Sequence, residues 1–162
     1  MIEVMNNLFV GTQQDFEGSV KGNAEWAVVQ ACKEPYHREA LGYTGRSASL
    51  THPEYLVALR ENRLILNMID ADDPKFIAKE MIDSALSFIV EKMDTGGKVL
   101  VHCSQGRSRA PSIAMVYMST IGKLPKNSFT AAEMQFKKIY RTYEPAIGVR
   151  QFFISNWADY MR

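Results

Sequence analysis

His102-Cys103-Ser104-Gln105-Gly106-Arg107-Ser108-Arg109 packs a thiol, two guanidinium groups and two hydroxyls into one short stretch. Cys103 and Arg109 stand in a Cys-x5-Arg spacing. Spacing alone is weakly specific, and the surroundings sharpen it. Lys98-Val99-Leu100-Val101-His102-Cys103 has the pattern of a strand, Gly106 permits a tight turn, and an apolar helical pattern starts near Arg109. A loop wrapped between a strand and a helix N-terminus points successive backbone N–H groups inward. With the helix dipole, they cradle a phosphate dianion. The same positive field favours a thiolate, the nucleophilic form of cysteine. Arg109 can hold two phosphate oxygens through its planar fork and so favour in-line displacement. Ser104, Gln105, Gly106, Arg107 and Ser108 are then the expected phosphate-binding residues.

Cleavage of a phosphate monoester also needs a proton for the leaving oxygen, which a carboxylic acid on a neighbouring loop can supply. Asp70, Asp72 and Asp73 cluster after the apolar run Arg63–Met68. Asp73 precedes Pro74 and suits a helix cap, and Asp70 suits a turn.

The elements that must position these groups alternate in type. Asn6-Asn7 between Val4-Met5 and Leu8-Phe9-Val10 predicts a hairpin turn. Trp26–Cys32 and Arg63–Met68 predict strands, and 33–50 predicts a loop. Thr51-His52-Pro53-Glu54 has the form of a capping box, predicting a short helix to about Glu61. Phe76, Ile77, Met81, Ile82, Ala85, Leu86 and Ile89 share a helical face that starts after Asp73-Pro74 and ends at Gly96-Gly97. A buried helix is expected from about Arg109 to Thr120. Thr130-Ala131-Ala132-Glu133 has a second capping-box pattern, with Phe129 and Met134 spaced as a hydrophobic staple. A last helix is expected over about Val149–Met161. The fold class is therefore α/β, a mainly parallel central sheet of four to five strands with helices on both faces, forming one domain over 1–162. Ligands of such sheets bind beyond the carboxyl ends of the strands.

Lysine plus arginine number 19 against 18 aspartate plus glutamate, a formal net charge of +1. That balance argues against bulk attraction to nucleic acid or an acidic membrane. The chain has 46% hydrophobic and 23% charged residues, ordinary for one globular domain. Met1–Asn7 lacks the pattern of a secretory signal, and Cys32 and Cys103 are too few for a disulfide framework, so a reducing cytoplasm is expected. His37 and His52 lack the partners of a zinc site.

The loop His102–Arg109 resembles the His-Cys-x-x-Gly-x-Ser-Arg loop of dual-specificity protein phosphatases. Asn7-Leu8-Phe9-Val10-Gly11, Ala85-Leu86-Ser87-Phe88-Ile89 and the stretch from Glu144-Pro145-Ala146-Ile147 to Phe152 are similar to further segments of that family. The resemblance implies an α/β fold, a cysteinyl-phosphate intermediate on Cys103, Arg109 as phosphate clamp, no metal and no cofactor. It places the acid at Asp72 and gives His102 a loop-organising role. The implied substrate is a phosphorylated protein or other phosphomonoester, met by a monomer. The sequence departs from the family at Ala110, where Ser or Thr usually follows the arginine and helps the sulfur leave. Slower phosphoenzyme breakdown is expected unless Ser108 or Ser104 substitutes. A basic residue at the position of Arg107 occurs in some lipid-directed members, and Arg107 also suits a solvated surface. Cys32, at the end of its strand, matches the position from which some members form a protective disulfide, and it also suits a buried core thiol. A phosphoinositide or nucleic-acid 5′-phosphatase keeps the chemistry and changes the substrate. Lys33, His37, Arg38, Arg46 and Arg60 would then face the anion. A phosphate-binding module without turnover and a rhodanese-like sulfur transferase are the other readings.

Overall fold

The computed structural model describes residues 1–162. Its centre is a six-stranded mixed sheet in the order β1-β2-β6-β3-β5-β4. The strands are β1 (Ile2–Met5), β2 (Leu8–Gly11), β3 (Trp26–Gln30), β4 (Val57–Arg60), β5 (Arg63–Leu66) and β6 (Lys98–His102). The four inner strands run parallel, and β1 and β4 add an antiparallel edge on each side.

The alternation of side chains along the strands divides the core in two. Ala27, Val29, Leu64, Leu66, Val99 and Val101 face the larger cluster, beneath α3 (Lys79–Asp94), α4 (Arg109–Thr120), α5 (Phe129–Ile139) and α6 (Ile147–Tyr160). Val28, Ile65 and Leu100 face the other side. There they meet Phe16 and Val20 of a π turn (Phe16–Val20) that continues α1 (Gln13–Asp15), together with Cys32 and Tyr36. Helical elements therefore cover both faces, as expected. No helix is long and apolar enough to cross a membrane.

Strand β4 corrects the helix expected up to Glu61. Val57–Arg60 pairs antiparallel with β5 through a turn in which Glu61 takes φ 53°. The residues of the supposed capping box have other partners. The Glu54 N–H donates to His52 Nδ1, and the Glu54 carboxylate takes both guanidinium nitrogens of Arg60 at 2.7 and 2.9 Å. The second box is also displaced. Ser128, not Thr130, caps α5 by accepting the Ala131 N–H, while Glu133 is buried against Arg150 of α6 at 2.8 Å. Phe129 lies inside the helix and Met134 is exposed, so no staple forms there. The expected loop 33–50 begins with helical turns, Lys33–His37 and α2 (Arg38–Leu41). Asp73 accepts the Lys75 N–H and caps a 3-10 turn (Pro74–Phe76) that precedes α3.

Candidate active site

Cys103 follows β6 directly, and Arg109 is the first residue of α4. The intervening backbone is held from outside by its carbonyls. Ser104 O accepts the Gln13 N–H at 3.3 Å, Gly106 O the Tyr140 hydroxyl at 2.6 Å, and Arg107 O the Glu144 N–H at 2.8 Å. Ser108 O accepts both the N–H and the hydroxyl of Ser112. None of the N–H groups of residues 104–108 donates to a protein acceptor. With the carbonyls pulled outward, these N–H groups form the concave lining of the loop, the geometry of an anion nest. Gly106 is required twice: its φ is 67°, and a β-carbon there would lie 2.9 Å from Gly11 O and 3.0 Å from the Tyr140 hydroxyl.

The Arg109 side chain is buried against the end of β5. Its Nη1 donates to Met68 O at 2.9 Å and its Nη2 to Ser104 Oγ at 3.2 Å. Its Nε is buried with no hydrogen-bond partner. Asp70 Oδ2 stands 3.9 Å from that nitrogen. A buried, unpaired guanidinium N–H beside a nest of free amides is a set of donors whose chemistry suits the oxygens of a phosphate.

The chain matches the model of the dual specificity phosphatase catalytic domain over residues 46–153. It belongs to the dual specificity phosphatase family. A dual specificity protein phosphatase of Arabidopsis thaliana, PHS1, is 32% identical over 89 residues, covering 55% of this chain, and this chain spans only 9% of that protein's length. The crystal structure of DUSP15 superposes with a TM-score of 0.68 at 21% identity, covering 99% of this chain and 89% of its own. The human tyrosine phosphatase-like serine/threonine/tyrosine-interacting protein gives 0.68 at 18%, covering 99% and 97%. PTPMT1 in complex with PI(5)P gives 0.61 at 12%, covering 97% and 94%. These three likenesses establish a shared fold.

Around this phosphatase loop, His102 is fully buried and stacks on Phe16 with ring centroids 5.0 Å apart. Arg63 Nη1 donates to Gln30 Oε1, which turns the Gln30 amide nitrogen toward His102 Nε2 at 3.1 Å. Nε2 is therefore an acceptor, and the ring proton sits on Nδ1, 3.5 Å from Cys103 O. Burial pushes this imidazole down to about 4. Gln30 has no motif signal in the sequence, since its role depends on two strands meeting β3.

The three carboxylates separate by environment. Asp73 is a cap. Asp70 faces Arg109. Asp72 is exposed, and its carboxylate makes no hydrogen bond or ion pair. The residues 71–73 lie against Gly148, where a β-carbon would come within 2.4 Å of Ala71 O and 2.7 Å of Asp72 C. Gly148 is a site-shaping residue that motif reading passes over.

Ala110 is fully buried. The Ser108 hydroxyl accepts the Ala146 N–H at 2.9 Å, so it is already engaged in holding the start of α6, while Ser104 Oγ meets Arg109. Cys32 and Cys103 are both free thiols, and burial pushes Cys32 up to about 12. A polar cleft of about 720 Å³ opens beside the loop, between Thr12–Gln14 with Glu17 and the Ser104, Gln105 and Arg107 side. The basic residues of 33–62 largely have partners within the protein. Arg38 pairs with Glu34, Arg60 with Glu54, and Lys33 Nζ donates to Arg46 O. His37 is buried between Tyr43 and Glu54 O.

Proposed function

We propose that this chain hydrolyses phosphate monoesters through a cysteinyl-phosphate intermediate, acting on phosphotyrosine and also on phosphoserine or phosphothreonine of proteins. The loop is the observation that carries this reading: its carbonyls are bound outward, its amides are free, and the Arg109 Nε is unpaired beside them. The amides and Arg109 take the equatorial phosphate oxygens. The Cys103 thiolate attacks phosphorus, forming S–P as the ester P–O bond breaks, while Asp72 in its acid form gives its proton to the leaving oxygen. Water then attacks phosphorus, S–P breaks, and the Asp72 carboxylate takes a proton from that water. Inorganic phosphate and the free thiolate result. His102, neutral and with its proton on Nδ1, holds the carbonyl of Cys103 and takes no part in proton transfer.

Two features favour a protein ester over a phosphoinositide or nucleic-acid end. Most cations of 33–62 are engaged within the protein, and Arg107 itself lies 3.6 Å from Glu144. Near the Asp72 loop, Ile69, Phe76 and Ile147 are exposed apolar side chains suited to an aryl group or peptide flank. Wild type is expected to hydrolyse p-nitrophenyl phosphate and Cys103→Ser to lose that activity. Asp72→Asn is expected to lose rate mainly on esters whose leaving groups have high pKa. Full activity of the Cys103→Ser protein would refute the reading.

A further inference from the structure

We infer that Asp70 is a specificity-determining charge filter, which acts through Arg109 to disfavour oxyanions of higher charge. The inference rests on the phosphatase reading of the loop. Three nitrogens of Arg109 point in three directions. Nη1 is fixed to Met68 O and Nη2 to Ser104 Oγ, while Nε is buried without a hydrogen bond. Asp70 Oδ2 is 3.9 Å from Nε, too far for a hydrogen bond and close enough for charge attraction. The Asp70 carboxylate makes no other ion pair and no hydrogen bond, and its side chain is 46% exposed. Its charge is therefore not engaged elsewhere.

A phosphate held by the loop amides must present an oxygen to the same Nε. That oxygen approaches within hydrogen-bond distance of the nitrogen and so comes close to the Asp70 carboxylate. In the free protein Asp70 balances the guanidinium, and in the complex it repels the bound anion. The repulsion scales with the anion's charge. At this separation and exposure it weakens binding of a dianion by roughly tenfold and of a monoanion by roughly threefold. Two consequences follow for the site. Inorganic phosphate, the product, is held less tightly, and ligands with further phosphates beside the ester are disfavoured. Asp70 thus points to substrates bearing one phosphate on a neutral or cationic flank.

The test measures binding of sulfate, a dianion, and perrhenate, a tetrahedral monoanion, by calorimetry at pH 7 and constant ionic strength. Wild type, Asp70→Asn and Asp70→Glu are compared. Asp70→Asn is expected to bind sulfate roughly tenfold and perrhenate roughly threefold tighter than wild type, with Asp70→Glu close to wild type. The dependence of kcat/KM on leaving-group pKa is expected to stay as in wild type. Equal gains for both anions, no gain, or a rate loss that grows with leaving-group pKa would each overturn the inference, the last by making Asp70 the acid. If none of the three proteins binds either anion, the phosphate-site reading itself fails, and this inference with it.

Discussion

Gly148→Ala tests whether the placement of Asp72 sets the rate. The added β-carbon would lie 2.4 Å from Ala71 O and 2.7 Å from both Asp72 C and Asp73 N, where ordinary contact begins at 3.4 Å. Something must therefore give by about 1 Å. The start of α6 is tethered by the Ala146 N–H on Ser108 Oγ and by Arg150 on Glu133, so the 71–73 loop, with Asp72 exposed at its middle, is the part expected to move. A misplacement of about 1 Å in a reacting group costs up to roughly a hundredfold in rate. That cost applies only where the proton matters. Phenyl phosphate, with a basic leaving oxygen, is expected to lose roughly 30- to 100-fold in kcat/KM, and 2,4-dinitrophenyl phosphate less than roughly threefold. The overpacking is also expected to cost about 1–3 kcal/mol in urea unfolding. The assay is a series of aryl phosphates of graded leaving-group pKa, read as the slope of log kcat/KM. An equal loss across the series, or no loss on phenyl phosphate, would refute the idea that this glycine sets the proton donor's position.

Ala110→Ser adds a hydroxyl next to Arg109, where the Ser108 and Ser104 hydroxyls are already turned to accept the Ala146 N–H and an Arg109 N–H. If phosphoenzyme breakdown limits turnover, kcat is expected to rise roughly tenfold and the pre-steady-state burst to shrink, since one hydrogen bond to a departing anionic sulfur is of that order. His102 is held at about 4 by burial, against about 6.5 in the unfolded chain. The unfolded state therefore binds the extra proton first. Stability is expected to be fully present above pH 6.5 and to fall by about 3 kcal/mol as the pH drops to about 4. Urea unfolding across pH 4–8 checks this, and His102→Gln should lack that part of the slope.

Much of the placement of the Cys103–Arg109 loop was legible because its signals are local. Val99–Val101 is an apolar run on the way to Cys103, Gly106 marks the turn, and α4 begins at Arg109. The strand alternation that divides Val28, Ile65 and Leu100 from their neighbours is likewise written in consecutive residues. The misreadings arose where a local pattern lost to distant partners. Glu54 and Glu133 sit where capping boxes want them, yet Arg60 and Arg150 claim their carboxylates. Tyr140, Gln30 and Gly148 matter through contacts more than 30 residues away in sequence, and no spacing rule reports those.

Residues 140–148 back the loop at Gly106, Arg107 and Ser108, and their last member abuts Ala71–Asp73. Cys103 and the proposed proton donor Asp72 thus inherit their mutual alignment from one strip of chain, which serves as a common ruler for two parts made elsewhere. Drift in surface stretches such as 42–53 leaves that ruler untouched, so lineages can rewrite the rim while the reacting pair stays in step. A single residue gained or lost between Tyr140 and Gly148 would shift both ends at once, so a change of length in this strip disturbs two places together.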